Sequence, residues 1–239
     1  MPAKMSEIKS IAKRYKIPII EDAAEALGSS INGKKCGSFG DIGILSFNGN
    51  KIITSSGGGA ILSNNKNYIK AAKHLATQAK DDFVYYHHSV IGYNYRMSNI
   101  LAAIGLGQMK SLRKKIETRR KVFEEYYNYF KKNVDIQFLN EYLDTKSKTL
   151  VKSNRWLTTL VLNNKKKSIT DIVKIMEKQN IEVRPLWKPM SMQPALSSYE
   201  YFGNNFEEKL FQKGICLPSG SSLTKSDLNK IQRSIQKVL

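Results

Sequence analysis

The sequence predicts an α/β fold built on a mainly parallel sheet. Three observations predict it. Short apolar runs stand between segments of helical periodicity, as buried parallel strands do between crossover helices. The first of these runs, Ile17-Pro18-Ile19-Ile20, stops abruptly at Glu21-Asp22, so acidic groups sit where a strand would deliver them. At 239 residues, with 41% hydrophobic and 25% charged side chains, the chain is long enough to bury about 70% of its unfolded surface without metal or disulfide.

The elements follow in order. Ser6 to Tyr15 carries Ile8, Ile11 and Ala12 at helical spacing, ahead of the Ile17 to Ile20 strand. Ile42 to Phe47 and Gly59 to Leu62 read as further strands, and ligands of such sheets gather beyond the strands' carboxyl ends. Small and apolar residues recur from Ile100 to Leu112, which predicts a closely packed helix. Arg113 to Lys132 reads as a long amphipathic helix, its aromatics Phe123, Tyr126, Tyr127 and Phe130 expected in the core. Asn140 to Asn154 is rich in Lys, Thr and Ser and reads as a loop. Trp156 to Leu162 is a strand, Thr170 can cap a helix carrying Ile172, Val173, Ile175 and Met176, and Ile181-Glu182-Val183 begins another strand. Thr224, three residues before Asp227, forms a capping-box pattern ahead of Leu228, Ile231, Ile235 and Val238. The pattern is that of the end of a large α/β domain joined near residue 113 to a small α+β domain.

Several function classes are disfavoured. No stretch approaches the ~18 apolar residues that span a bilayer. The opening MPAKMSEIKS lacks the apolar core of a signal peptide, so a cytoplasmic address and no membrane partner are expected. The net charge of +19 suggests an anionic partner, but the excess is mostly Lys, whereas base readers lean on the planar fork of Arg. No nucleic-acid partner is expected. Cys36 and Cys216 stand far apart with no Cys/His cluster, which argues against a metal site. The three histidines, His74, His87 and His88, read as polar loop residues, and no GxSxG elbow occurs.

Three segments carry chemistry together: Glu21-Asp22-Ala23-Ala24-Glu25 after one strand, Ser46-Phe47-Asn48-Gly49-Asn50-Lys51 after a second, and Ser55-Ser56-Gly57-Gly58-Gly59 beyond it. Each alone is bland, a cap, a solvated lysine or a tight turn. Combined, they match what pyridoxal phosphate requires: a lysine amine to bond its aldehyde carbon, an acid to keep the pyridine nitrogen protonated, and donors for its phosphate. Lys51, Asp22 and Ser46 could supply these in turn. A rival, Gly28 to Lys35, nearly fits the phosphate loop GxxxxGK[ST], but Lys35 stands where the magnesium hydroxyl belongs. Asn32-Gly33 within it reads as a tight hairpin turn.

In order along the chain, IEDAAEALGS, GSFGDIGILSFNGNKIITSSGGGAIL, GYNYRMSNILAAIGLGQ, SNRWLTTLV, VRPLWKPM and ICLPSGSSLT resemble the DegT/DnrJ/EryC1/StrS family of sugar aminotransferases. The resemblance covers essentially the whole chain. It implies the fold type I, aspartate aminotransferase-like architecture, with residues 1–112 as the remainder of an N-terminally truncated large domain and 113–239 as the small C-terminal α+β domain. A phosphate-binding turn and a ring-stacking aromatic found earlier in relatives have no counterpart here. It further implies pyridoxal phosphate as cofactor, glutamate and a nucleotide sugar as substrates, and a homodimer with shared active sites. The subclass most resembled aminates C4 of a UDP-linked 4-keto-6-deoxy-N-acetylhexosamine. By position, Lys51 would bond the cofactor and shuttle the proton, Asp22 would pair with the ring nitrogen, Glu25 would lie near the phenolic oxygen, and Ser46 would bind phosphate. Asn94 would reach the phosphate of the partner subunit's cofactor, Arg96 would support that crossing loop or meet substrate, and Trp187 and Lys188 would line the nucleotide-sugar side. Ser191 stands where relatives often place a His. A catalytically inactive fragment that only dimerises or binds nucleotide sugar is the alternative.

Overall fold

A computed structural model describes residues 1–141, 143–144, 149–163 and 167–238. In chain order the elements are α1 (Met5–Tyr15), β1 (Ile20–Asp22), β2 (Ser30–Ile31), β3 (Lys34–Lys35), β4 (Ile42–Ser46), β5 (Gly59–Leu62), α2 (Lys66–Ala76), α3 (Asn99–Met109) and α4 (Leu112–Phe130). There follow β6 (Ile136–Phe138), β7 (Leu143–Asp144), β8 (Thr149–Lys152), β9 (Thr158–Leu162), α5 (Ile169–Glu177), β10 (Arg184–Pro185), α6 (Phe206–Lys213), β11 (Gly214–Leu217) and α7 (Lys225–Val238). They form two compact units, one of Met1–Glu117 with Glu141–Trp156, the other of Thr118–Asn140 with Leu157–Leu239.

The first unit holds a sheet of order β1-β4-β5 and a smaller one of order β3-β2-β8-β7. Strands β1 and β4 are parallel, but β4 and β5 are antiparallel, so the expected mainly parallel sheet is corrected to a mixed one. The reason is local: the stretch between β4 and β5 is spent on turns, leaving no crossover helix to carry the chain back. The first strand also begins later than its apolar run. Pro18 has no N–H to give to a ladder, and the Ile19 N–H goes to Asp41 Oδ2 (2.8 Å), so pairing starts at Ile20.

Asn32 (φ 49°) and Gly33 (φ 82°) supply the paired positive φ values that a two-residue hairpin between β2 and β3 requires. That hairpin takes the place of the helix a phosphate loop would need. The polar segment expected as a loop contains β7 and β8, and β8 pairs with β2 while burying Val151; residues 142 and 145–148 of that expectation lie outside the described residues. Helix α3 is apolar on all sides yet buries none of its residues, contrary to the close packing expected of it, with Ile100 71% and Leu106 67% exposed.

The second unit is one antiparallel sheet of order β10-β11-β9-β6, packed with α5, α7 and the later turns of α4. Its core joins Phe123, Tyr126 and Phe130 to Leu160, Ile172, Met176, Ile215 and Ile235, so the aromatic stripe is core as expected, Tyr127 excepted. The buried Tyr126 hydroxyl donates to the Pro218 carbonyl at 2.9 Å. Helix α5 is capped by Ser168 rather than Thr170, its Oγ accepting the Asp171 N–H (3.1 Å). Ile181-Glu182-Val183 forms no strand, because the Ile181 N–H turns back to Met176 to finish α5; pairing with β11 starts at Arg184. Thr224 and Asp227 exchange the reciprocal capping bonds, and Leu228, Ile231, Ile235 and Val238 of α7 are buried.

Candidate active site

The register of β1 on β4 sets the site. Asp22 lies opposite Ile44 and Glu21 opposite Gly43, so Asp22, Ile44 and Ser46 share one face of the sheet while Glu21, Gly43 and Leu45 share the other. The second face is the covered one. There Ala23, Cys36 and Leu45 pack with Phe39 and Ala60. Buried Glu21 turns its carboxylate onto the loop covering that face, Oε1 accepting the Gly37 N–H (2.7 Å) and Oε2 those of Phe39 (2.7 Å) and Gly40 (3.3 Å). The loop comes so near that a Cβ on Gly43 would stand 1.9 Å from the Gly37 carbonyl oxygen. Backbone approach thereby explains Gly40 and Gly43 of GSFGDIG, and a φ of 88° explains Gly37.

The other face, at the carboxyl ends of β1 and β4, carries the polar groups. Asp22 is exposed, its Oδ1 accepting the Ala24 N–H at 3.0 Å. Ser46 ends β4, half-buried. The chain then turns: the Lys51 N–H returns to the Asn48 carbonyl (3.1 Å), and the Ser55 N–H and Thr54 Oγ1 both donate to the Phe47 carbonyl (3.0 and 3.2 Å). This turn presents the Lys51 amine inward. Its side chain is only 14% exposed, and Nζ pairs with Glu25 Oε1 at 3.0 Å.

Two residues without a role in the sequence reading complete this arrangement. The Lys51 ammonium lies over the indole ring of buried Trp156, 4.8 Å from its centroid. Trp156 Nε1 donates to the Asn50 carbonyl at 2.8 Å. Asn154 donates through Nδ2 to the carbonyls of Glu25 (2.9 Å) and Leu27 (3.1 Å), and its Oδ1 accepts the Trp156 N–H (3.0 Å). In the sequence they stand in SNRW, part of the family resemblance, and Trp156, expected to open a strand, lies two residues ahead of β9.

Lys51, Glu25, Asp22 and Ser46 therefore all belong to the carboxyl edge of one sheet in the first unit. Asn94 and Arg96 lie in the same unit, with exposed side chains, on a segment pinned to the end of α2 by Gln78 N–H to Tyr93 O (2.9 Å) and Tyr95 N–H to Ala76 O (3.0 Å). Among the described residues, no hydrogen bond or ion pair joins them to Lys51. Trp187 and Lys188 are exposed on the second unit, just after β10. His87 and His88 lie in the loop after α2 as expected, whereas His74 lies on α2 itself.

Amine, carboxylate and hydroxyl on one sheet edge are the donor set that pyridoxal phosphate requires. Comparison with known proteins agrees. EpsN of Bacillus subtilis (strain 168) is 47% identical over 234 residues, covering 96% of this chain and 58% of its own length. A GDP-perosamine synthase of Escherichia coli O157:H7 is 35% identical, covering 99% of this chain and 62% of its own length. A UDP-4-amino-4,6-dideoxy-N-acetyl-beta-L-altrosamine transaminase of Campylobacter jejuni is 40% identical over 162 residues, 66% of this chain and 41% of its own. The chain thus spans less than two thirds of the length of these relatives. The fold matches that of the aminotransferase PseC of Helicobacter pylori, with a TM-score of 0.88 at 24% identity over 99% of this chain and 63% of that one. That is the pyridoxal phosphate-dependent fold type I architecture. With its family pattern matched over residues 1–236, the chain belongs to the DegT/DnrJ/EryC1/StrS aminotransferase family, whose cofactor is pyridoxal phosphate.

Proposed function

We propose that this chain carries the lysine-bearing part of an aminotransferase that moves an amino group from glutamate to C4 of a UDP-linked 4-keto-6-deoxy sugar, as a cytoplasmic homodimer serving glycan biosynthesis. The observation that carries the reading is the Lys51 amine, held beside Glu25 at the sheet edge that also bears Asp22 and Ser46. In this reading the two compact units correspond to the large and small domains, the first ending at Glu117 rather than near residue 113 and taking in Glu141–Trp156 as well. Glutamate leaves as 2-oxoglutarate, and the sugar ketone receives the nitrogen.

Bound pyridoxal phosphate supplies an electron-accepting ring that stabilises charge on the carbon losing or gaining a proton. The remaining work belongs to the chain. Lys51 would hold the cofactor through Nζ, and its free amine would take and return the proton as general base and acid. Glu25 orients Nζ. The Asp22 carboxylate holds the proton of the pyridine nitrogen, and the Ser46 hydroxyl binds phosphate. Asn94 serves the phosphate in the partner subunit's site, and Arg96 supports the segment that reaches there or meets substrate. Trp187 and Lys188 offer a stacking surface and a cation to the nucleotide diphosphate.

The test is amination with glutamate of UDP- and GDP-linked 4-keto-6-deoxy sugars, read by mass spectrometry, for the wild-type chain and Lys51→Ala. Expected are turnover of the UDP substrate and its loss in the variant. Turnover of the GDP substrate alone would overturn the UDP assignment, and equal turnover by Lys51→Ala would overturn the role of Lys51.

A further inference from the structure

We infer that Trp156 is a positioning residue for the Lys51 amine, and that Asn154-Arg155-Trp156 forms a clamp setting both partners of the Lys51–Glu25 pair. The inference rests on the proposed role of Lys51 as cofactor anchor. The clamp acts at two points. On the lysine side, the indole face lies 4.8 Å from Nζ, and the same ring's N–H fixes the carbonyl of Asn50, the residue just before Lys51. On the carboxylate side, Asn154 Nδ2 fixes the backbone carbonyl of Glu25, whose side chain meets Nζ at 3.0 Å. Asn154 Oδ1 then accepts the Trp156 N–H, so the two arms are tied together.

The tie needs an unusual backbone. Arg155, between the two arms, has φ 50°, a left-handed conformation uncommon for a non-glycine residue. Its N–H goes to Ser153 Oγ at 3.1 Å, and the Asn154 N–H goes to Ser29 Oγ at 2.9 Å. A buried aromatic that merely filled space would not call for this. A flexible lysine loses several rotamers when held. An aromatic face holds the ammonium by its charge, and because the ring makes no hydrogen bond to Nζ the contact weakens once the proton is lost and the lone pair is freed. Trp156 therefore aims the amine while leaving it available to react.

The experiment measures where pyridoxal phosphate bonds the full-length chain. Protein is incubated with limiting pyridoxal phosphate and reduced with borohydride, and labelled lysines are mapped by peptide mass, alongside a melting curve for each variant. Wild type is expected to carry the label on Lys51 in preference to its other lysines. In Trp156→Leu, which stays apolar but has no ring face, the preference should fall about three- to tenfold, in keeping with the strength of a buried cation–π contact. Trp156→Phe, which keeps a ring face, should retain most of it. Unchanged preference in a folded Trp156→Leu overturns the inference. So does a Trp156→Phe variant that melts with the wild type yet labels Lys51 no better than neighbouring lysines, which decides the matter if the Leu variant does not fold. A wild-type chain without preference for Lys51 would instead overturn the anchor role itself.

Discussion

Glu21 and Asp22 are adjacent yet do opposite work, because successive side chains of a strand face opposite ways. Glu21 fastens a loop through three backbone N–H groups while Asp22 stands in the open. Replacing Glu21 with Gln would set an amide NH2 against N–H donors, so Glu21→Gln should lose about 1.5–3 kcal/mol in denaturant unfolding. An effect below about 0.5 kcal/mol, the scale of an ordinary surface change, would show that the loop is held otherwise. Burial, then the charge of Glu21, pushes the Cys36 thiol from 9.0 up to about 11. The folded state keeps the thiol protonated where the unfolded chain would ionise it, so stability falls as pH rises between these values. Iodoacetamide at pH 8 should modify Cys36 slowly until urea is added, and fast labelling of the native protein would contradict its burial. Asp22 and Lys51 were legible because each follows an apolar run by a few residues. Trp156 was not, since its partner Asn50 is 106 positions away and no local pattern encodes such a pairing.

At the scale of elements, caps and glycines explain what hydrophobic periodicity missed. Helix α5 starts two residues earlier than a Thr170 cap would place it, because Ser168 has the extended backbone of a cap and its Oγ accepts the Asp171 N–H. Ser168→Ala should cost about 1 kcal/mol and Thr170→Ala much less, measured by thermal melting; equal losses would refute the assignment. Strand β8 escaped notice because it holds just two apolar residues between Thr149 and Lys152, with Val151 buried and Leu150 exposed. Helix α2, capped by Asn65, carries Tyr68, Ile69, Ala72 and Leu75 at helical spacing yet buries none of them. The loop after α2 depends on Asp81. The Ser89 N–H, then the Ser89 hydroxyl, then the His87 and His74 rings hold its carboxyl below the usual value of 3.8. A depressed carboxylate gives its stabilisation above that value and loses it as pH falls below. Hydrogen exchange of the Ser89 amide, corrected for intrinsic rate, should therefore stay protected at pH 6 and lose protection only as pH falls below 3.8. Asp81→Asn should lose that protection already at pH 6.

At the scale of the molecule, two tendencies oppose each other. The chain leaves Ile100, Ile104 and Leu106 of α3 and the Val84 to Tyr86 stretch exposed, a surface that favours association. Its net charge of +19 opposes association by mutual repulsion. Salt screens the repulsion and leaves the apolar term, the Debye length shrinking from about 10 Å at 0.1 M to about 3 Å at 1 M. Sedimentation velocity should show the mean mass rising with salt and Ile104→Glu lowering it; a mass independent of salt would mean that charge plays no part. The α/β class and the order of motifs were legible because both reside in local runs. The antiparallel turn of β5 onto β4 and the return of residues 141–156 to the first unit were not, because they depend on how the chain doubles back. That return also imposes a schedule. Trp156 is the last residue of the first unit, and a ribosome reaches it more than a hundred residues after Lys51. Loop closure over such a span is slow. The lysine's surroundings must therefore assemble after the strands that bear it, so a chain arrested in synthesis before residue 156 would hold its reactive amine loosely, however complete the sheet beneath it.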